Sequence, residues 1–66
     1  MTGEALRRKE IITAMDKIER YLAELQIALK TGNSTRMVEV AMMIRRQAQV
    51  LDYQATSLED EQRFAH

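Results

Sequence analysis

One short segment constrains the fold of this chain more than any other feature. The sequence has no proline, and its only two glycines are Gly3 and Gly32. Proline and glycine are the residues that most strongly oppose a continuing helix. The only strong interruption is therefore Thr31-Gly32-Asn33-Ser34-Thr35. Gly32 can adopt the left-handed conformation that ends a helix, with Lys30 well placed at the negative helix end. Asn33, Ser34 and Thr35 can each cap a following helix by accepting an orphan N–H, and the residue types do not choose among them. Thr2 is a candidate cap for the first helix. The expected organisation is a single domain over 1–66: helix 1 over about 3–30, a turn at 31–34, helix 2 over about 35–62 and a loose tail.

Apolar periodicity on both sides of the turn supports this division. Helix 1 carries Ile11, Met15, Ile18, Leu22, Leu25 and Leu29 at alternating four- and three-residue steps. Helix 2 carries Met37, Ala41, Ile44, Ala48, Leu51, Ala55 and Leu58 in the same way. Such spacing lines one side of a helix with apolar groups. Folding the chain back at Gly32 pairs Leu29 with Met37, Leu25 with Ala41, Leu22 with Ile44 and Ile18 with Ala48. Met15 then faces Leu51 and Ile11 faces Ala55, every pair of numbers summing to 66. Alanine meets a large side chain at alternate layers, which is complementary in volume. The same register brings Arg7-Arg8-Lys9 near Glu59-Asp60-Glu61, and Arg45 opposite Glu19. The expected fold is all-α, an antiparallel two-helix hairpin.

A chain of 66 residues buries only about 60% of its unfolded surface and needs a further source of stability. With no cysteine and one histidine, His66 at the end, neither a disulfide nor a metal site is expected. Association is what is left. One flank of the expected seam, with Ile12, Glu19, Gln26, Val38, Arg45, Asp52 and Glu59, is mostly polar. The other, with Ala14, Tyr21, Ala28, Val40, Met43 and Val50, is mostly apolar or small. This second flank is the expected interface of a homodimer, which would form a four-helix bundle.

Chemistry-bearing motifs are few. There is no cysteine nucleophile, no histidine pair and no glycine-rich phosphate loop. Ser34 and Ser57 have no evident base, and carboxylates on a helix are ordinarily solvated or paired, as Asp16–Arg20 and Arg20–Glu24 are spaced to be. The expectation is a non-enzymatic protein with no cofactor. Ten Lys+Arg balance ten Asp+Glu, which argues against a general polyanion binder. Lys30, Arg36, Arg45 and Arg46 make the turn half somewhat basic, without the interleaved aromatics that single-strand stacking needs. The longest apolar run, Val40-Ala41-Met42-Met43-Ile44, is far shorter than the roughly 20 residues that span a bilayer. Charges near the N-terminus do not suit a signal peptide, so a cytoplasmic location is expected.

For a partner, the outer ridge of helix 2 holds Met42, Arg46, Gln49 and Tyr53, with Phe64 beyond the last good seam residue. Methionine adapts its shape, and Tyr and Arg are enriched at interface hot spots. Isolated surface side chains are the plainer reading of the same residues. The hairpin resembles three groups of small proteins in architecture, and in its length and its Lys30-Thr31-Gly32-Asn33 turn it resembles the second of them. Phage-encoded inhibitors that disable host regulators, such as quorum-sensing anti-activators, imply a homodimer that binds a host protein. The hairpin co-chaperones of type III secretion imply a heterodimer. The plasmid repressor-of-primer proteins imply four-helix bundles that bind RNA loops. The first sets the leading expectation, a regulator or inhibitor that occludes or sequesters a target protein, and the other two remain alternatives.

Overall fold

The computed structural model describes residues 3–64. Two helices, α1 (Gly3–Lys30) and α2 (Ser34–Phe64), pack antiparallel as a hairpin of 51 × 15 × 12 Å. Thr2 and His66 lie outside the described residues. Helix α2 runs unbroken to Phe64, so the tail expected beyond 62 is helical as far as that residue.

The turn is built by two residues with overlapping tasks. Gly32 has φ +69°. Its N–H donates to the Leu29 carbonyl at 3.2 Å, and the Asn33 N–H donates to the Ala28 carbonyl at 2.9 Å. These two bonds are the Schellman pair that satisfies the last carbonyls of a helix. Asn33 then starts α2. Its Oδ1 accepts from the Arg36 N–H at 3.0 Å, and its carbonyl accepts from the Met37 N–H at 3.0 Å. Of the three possible caps, Asn33 is the one used, because the residue that closes α1 is the residue from which α2 begins.

The seam differs from the expected one by a rotation of each helix. Ile11, Ile18 and Leu25 of α1, and Met37, Ile44, Leu51 and Leu58 of α2, face inward and are half-buried. These belong to the expected seam. The second inward row is not Met15, Leu22 and Leu29 but Ala14, Tyr21 and Ala28. On α2 it is Val40, Gln47 and Gln54 rather than Ala41, Ala48 and Ala55. Ala14, Ala28 and Val40 are the only fully buried residues described, at 2%, 3% and 0% exposure, whereas Met15, Leu22 and Leu29 stand 51%, 45% and 66% exposed.

Polar contacts at both ends accompany this rotation. Arg7 points inward, donating from Nε to Glu61 Oε2 at 2.7 Å and from Nη1 to Gln54 Oε1 at 3.0 Å. Gln62 Nε2 donates to Glu4 Oε2 at 3.2 Å. Near the turn, Arg36 is paired across the hairpin with Glu24 and along α2 with Glu39 at 3.4 Å. The expected proximity of Arg7-Arg8-Lys9 to Glu59-Asp60-Glu61 is thus realised through Arg7 and Glu61. In the summed-to-66 register Arg8 would instead enter the seam opposite Leu58. Neither Asp16–Arg20 nor Arg20–Glu24 forms an ion pair among the described residues, and Glu24 pairs across the hairpin with Arg36 instead.

Candidate interaction surfaces

Two layers of helix cannot enclose many side chains, and the dimensions reflect this. The radius of gyration is 15.2 Å, against about 11 Å for a compact domain of this length. The accessible surface is 5226 Å², whereas a folded monomer of 7.7 kDa would expose about 4,300 Å². The excess, about 900 Å², is close to what one partner contributes to a standard protein–protein interface, about 800 Å².

The residues expected to form a homodimer flank are distributed differently. Ala14, Ala28 and Val40 are buried against the opposite helix of the same chain, Tyr21 and Met43 are half-buried, and Val50 alone counts as exposed, at 37%. The expected flank is corrected accordingly: it is largely the hairpin's own seam. The rotation that brings it inside turns Met15, Leu22 and Leu29, with Ala41, Ala48 and Ala55, out onto a single face. Glu19 and Arg45 border this face on its two outer edges. They do not form the pair expected across the hairpin edge, because each points away from the other helix; no ion pair joins them.

The outer ridge of α2 is placed as expected. Met42, Arg46, Gln49 and Tyr53 are all exposed and follow one another at four-, three- and four-residue steps, with Met42 at 59% and Tyr53 at 65%. Tyr53 lies near enough to Arg7 to act on its guanidinium. The Arg7 guanidinium is held above its usual pKa chiefly by the hydrogen bond to Glu61, against partial burial, with the Glu61 charge and Tyr53 adding to the effect. Phe64 is 82% exposed and Leu6 60%, so the ring does not fold back over Leu6.

Beside the turn an open hollow of about 280 Å³ is lined by Glu24, Ile27, Ala28, Thr31, Asn33 and Arg36. Its charged groups, Glu24 and Arg36, are committed to each other, and Asn33 Oδ1 caps α2. Little polar capacity is left to orient a small ligand there. Among the described residues no group of three or more His, Cys, Asp or Glu is placed to hold a metal ion. No helix among them is long and apolar enough to cross a membrane. No protein-family model, curated protein or solved structure matches the chain.

Proposed function

We propose that this chain is a non-enzymatic regulator that acts as a homodimer and binds a target protein, covering a surface which that target needs. The observation that carries this reading is the exposed line Met42, Arg46, Gln49 and Tyr53 on the side of α2 away from the seam. It combines an adaptable thioether, a guanidinium and an amphipathic ring on a rigid rod, and a rigid helix loses little freedom on docking. The RNA-binding alternative has less to draw on. Of the four cations in the turn half, Arg36 is already engaged by Glu24 and Glu39.

The test is affinity capture from a lysate of the organism that carries the gene, read by mass spectrometry, with wild type beside the Arg46→Ala/Tyr53→Ala double variant. Truncation of two hot-spot residues should weaken capture of a specific protein at least thirtyfold, from a loss of about 2 kcal/mol or more. Far-ultraviolet circular dichroism should be unchanged. Equal capture by both proteins refutes this docking site, and recovery of RNA in a salt-sensitive manner favours the alternative.

A further inference from the structure

Helix α1 carries three apolar rows and the hairpin uses two; α2 buries one apolar row and one of Val40, Gln47 and Gln54, and leaves a row of alanines outside. A two-helix seam needs two positions in seven, whereas a helix inside a four-helix bundle buries three. On α1 the third row is Met15, Leu22 and Leu29, three large side chains at seven-residue intervals, left 45–66% exposed. On α2 it is Ala41, Ala48 and Ala55, also at seven-residue intervals and also exposed. Because the hairpin is antiparallel, the tall row and the short row run side by side on one face. The chain leaves its bulkier row of α1 wet while it buries Ala14 and Ala28 instead, so packing within one chain leaves this apolar face without cover.

We infer that this face is covered by a second copy of the chain, related by a two-fold axis along the length of the hairpin. That operation lays α1 of one copy antiparallel over α2 of the other at the same level, with the turns at the same end. Met15 and Leu22 of each copy then meet the row of Ala41, Ala48 and Ala55 on the other, large against small on both sides of the axis. A two-fold across the hairpin would instead set tall row on tall row and short row on short row. The rim agrees with the first arrangement. Glu19 of α1 and Arg45 of α2 sit at one level on opposite outer edges of the face, and the rotation brings Glu19 of each copy beside Arg45 of the other. Opposite charges there favour this pairing of surfaces over others. The elongated chain exposes about 900 Å² more than a globular chain of its mass, so covering one half of a standard interface, about 800 Å², would bring it to the exposure of a globular chain. This locates the homodimer of the preceding section and rests on that part of it, independently of any target.

The test uses chain mixing and sedimentation equilibrium on the full chain. Wild type should sediment at twice the 7.7 kDa chain mass at micromolar concentration. Glu19→Arg and Arg45→Glu should each weaken the dimer about tenfold, because each places two like-charge contacts at the rim. An equimolar mixture of the two variants should recover wild-type affinity. In the mixed dimer the two introduced charges, opposite in sign, face each other, and the unaltered Glu19 of one copy faces the unaltered Arg45 of the other. A pair within one chain cannot be repaired by mixing. Leu22→Asp, present twice in a symmetric dimer, should raise the Kd about a thousandfold. Ile27→Asp, on a more exposed apolar residue outside the face, should leave it unchanged. A wild type that stays monomeric at 100 μM overturns both the homodimer and this interface. A wild-type dimer whose two charge variants do not complement overturns this interface alone.

Discussion

Replacing Gly32 by alanine should destabilise the hairpin by about 1 kcal/mol net, starting from the penalty of about 1–2 kcal/mol that an L-residue meets in the left-handed region. Gly32 has φ +69°, and a Cβ built on it meets no atom within 4 Å. Steric clash with the rest of the protein therefore contributes nothing, and the whole effect is local backbone strain. Alanine also narrows the unfolded ensemble, which offsets part of the strain by about 0.4–1 kcal/mol. Asparagine enters the left-handed region more readily than alanine, so Gly32→Asn should fall between the two. The measurement is thermal unfolding followed by circular dichroism at one fixed protein concentration, because a dimer's midpoint depends on concentration. For a chain of this size each kcal/mol should lower the Tm by about 4–8 °C. An alanine variant as stable as wild type, or an asparagine variant less stable than the alanine one, would refute the Schellman geometry proposed for the turn.

Four other perturbations separate local from packing effects. Asn33→Ala removes the cap on the Arg36 N–H and should lower stability by about 1 kcal/mol, read from urea unfolding. Val40→Ala opens space at a fully buried position and should lower it by about 2 kcal/mol in the same assay. Ala14→Leu should overpack the seam by about 1–3 kcal/mol, while Met15→Ala should act through association and lose its effect as the protein is diluted. The opposite ranking, with Ala14→Leu neutral and Met15→Ala severe at every concentration, would restore the seam that sums to 66.

The hairpin and its turn were legible because each rests on local chemistry. A single glycine stands between two long periodic segments, and no proline or cysteine offers a competing arrangement. The cap was not legible, since Asn33, Ser34 and Thr35 are equally able to accept an N–H. What selects Asn33 is the backbone bond to Ala28, a property of the turn rather than of the side chain. The seam was half legible. Ile11, Ile18 and Leu25 belong to either rotation of α1, and the rows that differ, Ala14-Tyr21-Ala28 and Met15-Leu22-Leu29, are both apolar. Periodicity favours the bulkier row and does not register the long-range contacts that go with the observed rotation, those of Arg7 with Glu61 and Gln54, Gln62 with Glu4 and Arg36 with Glu24. Arg8 opposite Leu58 was the visible warning, a charge in a seam position with a neighbouring arginine better placed to find a carboxylate. The outer ridge was legible because it lies far enough from the seam to stay exposed under either rotation.

Thiol labelling tests most directly the central claim, that one alanine row is closed by the chain's own fold and another only by a second copy. The sequence contains no cysteine, so Ala28→Cys and Ala48→Cys each introduce a single reporter. The thiol at 28 should be protected to the same degree at every protein concentration. The thiol at 48 should be protected at high concentration and should react at the rate of an exposed thiol once the protein is diluted below its dissociation constant. A thiol at 48 that reacts freely at all concentrations, or a thiol at 28 that loses protection on dilution in parallel with it, would contradict the account.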